Sequence, residues 1–282
     1  SLHPMIIDKV FSMKYIYTTL TMLCVLTANA QRKPIESRVD SVLTLMSLEE
    51  KVGQMNQYNG FWNATGPAPA GGDAATKYQH LRNGWVGSVL NVQGVEEVRA
   101  MQRVAVEETR LGIPLIFACD VIHGYKTLSL IPLAEAASWN LDAIEKSARN
   151  AAEEATAHGL NWTFAPMVDI SRDPRWGRMM EGAGEDTYLG ARVASARVQG
   201  FQGSDLSAPN TMAACAKHFA GYGFVEAGRD YNTVDVSAYT LQNVIFPPFQ
   251  AAVEAGAATF MNAFNTMNGI PATGNQALIE TL

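Results

Sequence analysis

Residues 186–219 read DTYLGARVASARVQGFQGSDLSAPNTMAACAKHF. The first half predicts a helix from about Asp186 to Gln199, stopped by Gly200. Ala213–Ala216 is a short apolar run of the kind that forms a strand covered on both faces, and Lys217 and His218 stand directly after it. A helix, a buried strand and then polar residues at the strand's C-terminal end make one unit of a parallel α/β fold.

The same unit repeats in both directions. Upstream, a strand at Val86–Leu90 leads to a helix from Val95 to Leu111, which Gly112 stops before Ile113-Pro114, and a strand at Leu115–Cys119 ends on Asp120. A helix from Asp142 to His158, stopped by Gly159, precedes a strand at Trp162–Ala165. Downstream, a helix over Ala238–Ala255, stopped by Gly256, precedes a strand at Ala258–Met261, and Gln276 opens another helix. Ser47-Leu48-Glu49-Glu50 has capping-box spacing and starts a helix through Gln57, while Gly60 to Gly72 reads as loop. Polar residues fall after many strands: Asn91, Asp120 with His123, Asp169, Lys217-His218, and Asn262 with Asn265. A (β/α)8 TIM-type barrel builds its site at many strand ends, whereas a doubly wound sheet gathers ligand residues at one switch point. The barrel is the expected fold class. No phosphate-cradling glycine motif occurs.

Composition narrows the function classes. The 282 residues are 48% hydrophobic and 17% charged with net charge −6, a globular balance without the basic surface that nucleic acid or an anionic membrane attracts. Five histidines, at 3, 80, 123, 158 and 218, lack metal-ligand spacing, and no cofactor is expected. Lys14, the apolar stretch Tyr15–Leu26 and the Ala28-x-Ala30 pattern read as a secretory signal peptide. Residues 1–30 are therefore expected to be leader and signal, with an exported domain over 31–282 that does not insert in the membrane after cleavage. Cys24 follows Met22 and Leu23, bulkier than a lipid-attachment motif accepts. Cys119 and Cys215, each in an apolar run, are expected to be buried free thiols.

Residues 165–190, APMVDISRDPRWGRMMEGAGEDTYLG, pack acidic and basic residues around Pro174, Trp176 and several glycines. With Phe117–Gly124, Lys217–Gly223, Arg229–Asp235 and Met261–Gly269, they form ordered blocks in which the chain resembles the N-terminal part of glycoside hydrolase family 3, the β-glucosidases and their relatives. The resemblance implies a (β/α)8 barrel, truncated here before its last strands. It also implies that Asp120, Arg178, Lys217, His218 and Arg229 hold the hydroxyls of a terminal sugar. The residue types suit that task, since a carboxylate accepts from two neighbouring hydroxyls while Lys, His and Arg donate to them. Arg172, Asp173, Arg175, Glu181, Glu185 and Asp186 are expected to form the ion-paired loop that holds Arg178, with Trp176 packed in the loop or stacked on a sugar. His123 is expected behind Asp120, and His158 at a helix C-terminus. Where relatives often carry tyrosine, this chain has Phe264.

The implied activity is retaining hydrolysis of a terminal β-D-glucosyl residue from a β-linked oligosaccharide or glucoside. The nucleophilic Asp is expected beyond Leu282, so these residues alone are expected to bind sugar weakly and hydrolyse it negligibly. A non-catalytic sugar-binding product is the rival reading. The family's N-acetylglucosaminidase branch is disfavoured because no histidine follows His218. An open barrel would leave unpaired strand edges prone to aggregation. Oligomeric state and linkage preference are left open.

Overall fold

The computed structural model describes residues 35–281, so the signal-peptide reading lies outside the described residues. The chain divides after Leu48 into two units. The first contains helix α1 (Ile35–Leu43), with Glu36 in its first turn, where a carboxylate suits the positive end of the helix dipole.

Helix α2 (Leu48–Gln54) leads into the second unit. Strands β1 (Gln57–Asn59), β2 (Ser88–Leu90), β3 (Ile116–Cys119) and β4 (Trp162–Thr163) form a parallel sheet in sequence order. Its register pairs Gln57 with Ser88, Ser88 with Ile116 and Ala118 with Trp162. Strand β5 (Cys215–Phe219) pairs in parallel with β6 (Thr259–Asn262). A bridge from Trp162 to Ala213, with Thr163 N–H donating to the Ala213 carbonyl at 2.9 Å, joins the two sets. The parallel segments thus follow one another in chain order, with helices between them, as an α/β fold requires.

Helices connect these strands, and α4 and α6 among them are amphipathic. Between β1 and β2 lies α3 (Gly72–Arg82), and between β2 and β3 lies α4 (Val95–Glu107), which buries Val98, Met101, Val104 and Ala105. Helices α5 (Pro132–Ala137) and α6 (Leu141–Ala157) follow β3, and α7 (Thr187–Gln202) follows β4. Asn140 caps α6 by accepting from Ala143 N–H at 3.1 Å, and Asp186 caps α7 by accepting from Leu189 N–H at 2.7 Å. The buried face of α6 is Ile144, Ala148, Ala151, Ala152 and Ala155, small enough to let α7 approach at Gly200. A Cβ there would stand 2.4 Å from the Glu145 carbonyl oxygen and 2.6 Å from Ala148 Cβ.

Several elements differ from the sequence reading. β5 runs on to Phe219, so Lys217 and His218 lie inside the strand. The cause is pairing: the chain after β4 continues alongside β5, with Val168 N–H donating to the Lys217 carbonyl at 2.8 Å. The expected helix over 238–255 is α8 (Ala238–Thr240), a π-helical turn (Leu241–Ile245) and α9 (Phe246–Glu254). Pro247 and Pro248 lack N–H donors, and the wider turn ends where Phe246 N–H reaches the Leu241 carbonyl. Gln57 belongs to β1 and not to the preceding helix. Helix α3 went unread because it carries almost no amphipathic stripe, burying only Leu81. The antiparallel pair β7 (Thr266–Met267) and β8 (Ile270–Pro271), followed by α10 (Gln276–Thr281), was likewise unforeseen beyond its last helix. Cys119 and Cys215 are buried free thiols, and burial raises both above the ordinary thiol value. Among the described residues, no helix is long and apolar enough to cross a membrane.

Candidate active site

The site is built at the C-terminal ends of the parallel segments. Asp120 follows β3 and is half exposed, while Lys217 enters from β5 with only 3% of its side chain exposed; Lys217 Nζ lies 2.7 Å from Asp120 Oδ1. Parallel segments on either side of β4 therefore deliver a buried ammonium to a carboxylate that still faces solvent. A carboxylate has about four acceptor positions, so the lysine leaves Asp120 with capacity for a ligand.

The loop after β4 supplies the next pair. Arg178 donates to Glu181 through Nε at 2.7 Å and Nη2 at 3.0 Å, and Glu181 Oε2 is 4.0 Å from Lys217 Nζ. Burial opposes charge on both partners, but their mutual hydrogen bonds outweigh it, so Arg178 rises above and Glu181 falls below its ordinary value. The guanidinium sits 5.6 Å from the centre of the Tyr222 ring. Asp120, His123, Tyr125, Arg178, Met180 and Glu181 line a cleft of 590 Å³.

His218 is the neighbour of Lys217 but is sealed at 1% exposure, with Nδ1 2.9 Å from Asp169 Oδ2. Its ring packs edge-on to Tyr222 at 5.0 Å and tilts against Phe264 at 5.6 Å. Phe264 is half exposed and touches Tyr231, itself exposed and held at φ +62°.

The charged loop divides its labour. Asp173 takes Arg175 Nη2 at 2.6 Å, and these hydrogen bonds bring the Asp173 carboxyl down to about 2. Trp176 is fully buried and donates Nε1–H to Asp230 at 2.9 Å, so it packs in the loop. Burial works against ionisation of Asp230, but the Trp176 hydrogen bond and the nearby Arg178 help hold its carboxyl below the usual range. Burial, reinforced by Asp230, raises the Tyr222 phenol.

Of the residues expected to hold sugar, Asp120, Lys217 and Arg178 are linked through Glu181, and His218 adjoins them in β5. Arg229 is exposed and makes no ion pair among the described residues. His123 lines the cleft, with Nδ1 buried and unpartnered, and His158 ends α6, its Nδ1 3.4 Å from the Tyr125 hydroxyl. Two residues do more than the sequence assigned to them. Glu181 was read as loop support, yet it touches Lys217 as well as Arg178; Asp169 was read only as a strand-end polar residue. The spacing of Asp169 after Ala165 was the available signal. No cluster of three or more His, Cys, Asp or Glu that could hold a metal ion occurs among the described residues.

The chain is similar to known proteins. The chain is 41% identical over 242 residues to the periplasmic beta-glucosidase of Salmonella typhimurium, covering 86% of this chain and 31% of that protein. It is 29% identical over 273 residues to the lysosomal beta glucosidase of Dictyostelium discoideum, covering 86% and 33%. The crystal structure of beta-glucosidase from Listeria innocua in complex with isofagomine superposes with TM-score 0.78 at 41% identity, over 88% of this chain and 35% of that one. A mutant of the same enzyme in complex with laminaribiose gives TM-score 0.81 at 39% identity, over 88% and 35%. The chain spans about a third of the length of these relatives. Residues 47–282 match the glycosyl hydrolase family 3 N-terminal domain, and the chain belongs to that family.

Proposed function

We propose that this chain forms the sugar-holding part of a retaining, exo-acting β-glucosidase-like enzyme. The observation that carries the reading is the buried Lys217 ammonium against half-exposed Asp120, with the Arg178–Glu181 pair beside it on one cleft. Asp120 would accept from neighbouring hydroxyls of a terminal glucosyl ring, while Lys217, His218, Arg178 and Arg229 complete the polar wall. Such a wall holds the anomeric carbon in place, and in a retaining enzyme one carboxylate then attacks that carbon while a second protonates the leaving oxygen. By the family resemblance the attacking Asp lies on a segment beyond position 282, where the parallel strands would close into a (β/α)8 barrel. The domain is read as residues 31–282 and exported, after a leader and signal over 1–30; the name of the Salmonella relative supports this destination.

Calorimetric titration of the 282-residue chain with glucose and laminaribiose, beside an assay with a chromogenic β-glucoside, tests the reading. Saturable binding that Asp120→Ala removes, without turnover, is the expected result. Wild-type protein that binds neither sugar would sink it.

A further inference from the structure

The His218–Asp169 pair has a geometry that no ligand-holding role explains. The segment after β4 runs beside β5, which brings Asp169 level with His218. One oxygen, Asp169 Oδ2, accepts twice from the same residue: from the His218 main-chain N–H at 3.0 Å and from ring Nδ1 at 2.9 Å. Both side chains are 1% exposed. The second oxygen, Oδ1, is buried without a partner. Leaving a carboxylate oxygen unsatisfied in the interior is costly, so the fold keeps this carboxylate against a penalty that an apolar residue would avoid.

We propose that Asp169 is a positioning residue that fixes the tautomer and orientation of His218 for the sugar site. An oxygen already accepting a main-chain hydrogen serves as acceptor for the ring too, so the ring proton is placed on Nδ1, because the hydrogen bond made by one ring nitrogen sets the state of the other. Nε2 then carries the lone pair. It has no hydrogen-bond partner among the described residues, yet it is not one of their fully sealed unpartnered polar atoms. Tyr222, at right angles 5.0 Å away, and Phe264, tilted at 5.6 Å, pack against the ring, so the imidazole cannot easily swing to another rotamer. Lys217, one residue earlier, offers a donor to the same site, and His218 thereby adds an acceptor for a sugar hydroxyl. Asp169 touches no ligand in this scheme and acts only through His218. The proposal rests on the sugar-site reading for its purpose, but its tautomer assignment stands by itself.

Long-range 1H–15N correlation spectra of the chain with 15N-histidine decide it. The expected result is a His218 whose ring proton sits on Nδ1, visible also as a slowly exchanging ring proton. In Asp169→Ala the ring moves toward the Nε2–H form, and glucose affinity falls about tenfold. An unprotonated Nδ1 in the wild type overturns the proposal, as does a tautomer unchanged by Asp169→Ala. Should that variant fail to fold, the wild-type spectrum alone still decides the assignment. Correct tautomer with no glucose binding by the wild type would instead sink the sugar-site reading and leave the positioning of His218 intact.

Discussion

Two ion pairs in this molecule use the same chemistry in opposite settings. Arg197 on α7 and Glu135 on α5 meet at 2.6 Å with 4% and 7% of their side chains exposed, whereas Lys217 and Asp120 meet at 2.7 Å with 3% and 50%. The sealed pair has further partners: Ser147 donates to Glu135 at 2.6 Å, and Arg197 also donates to the Ile122 carbonyl. The open pair leaves its carboxylate half in water. Closed, an ion pair locks helices together and braces the segment just past Asp120; half open, it keeps capacity for a ligand. Burial pulls the Arg197 guanidinium below its ordinary value although Glu135 resists.

Removing one member of each pair tests this contrast. Arg197→Met strands Glu135 in the interior and should cost about 3–5 kcal/mol in a urea melt. The double variant Arg197→Met with Glu135→Leu should recover most of that loss. If the single change costs under about 1 kcal/mol, the pair is not sealed as described.

Next in size is the helix contact beside it. Gly200→Ala places a methyl against the Glu145 carbonyl and should lose about 1–3 kcal/mol by overpacking; a neutral result would show that α6 and α7 can separate without strain.

Lys217→Met should cost less stability, about 1–2 kcal/mol, because Asp120 can turn to water, while glucose binding disappears. Comparable stability losses at Lys217 and Arg197, with sugar binding intact, would erase the distinction between the pairs.

The smallest effect concerns pH. Glu181 ionises below its ordinary value in the folded protein, so its contribution is fully present above the unfolded carboxyl value of about 4.3 and is lost as pH falls through the lower folded value. Wild type should lose up to about 1 kcal/mol more than Glu181→Gln when urea midpoints are compared below about pH 4. Parallel pH curves for the two proteins would remove Glu181 from the electrostatic support of Arg178.

Much of the architecture was legible because each unit announces itself. Gly159 and Gly256 follow the ends of α6 and α9 with positive φ, which glycine adopts without strain, whereas α4 already ends at Glu107, short of Gly112, and α7 runs past Gly200 to Gln202, where Gly203 takes the positive φ. The short apolar strands sit where their composition placed them, within a residue or two, except β5, which ends three residues later than read. What escaped was context. The switch from Ala216 to Lys217 looked like a strand end, but β5 continues because the chain after β4 pairs with it. Helix α3 offered no apolar stripe to find.

The site divided in the same way. Asp120, Arg178 and Lys217 were legible as chemistry at strand and loop positions, and the structure groups them through Glu181. Arg229 was expected beside them, and it lies exposed without an ion partner among the described residues.

The sequence by itself determined the alternation of helices and buried strands, the family, and which residue types stand at the strand ends, because hydrophobic periodicity and local turn chemistry are written residue by residue. Only the tertiary structure decided that Lys217 is buried while Asp120 stays half open, and that Asp169 grips His218 twice. Burial and partner choice depend on which strands become neighbours across long stretches of chain, and no local pattern carries that information.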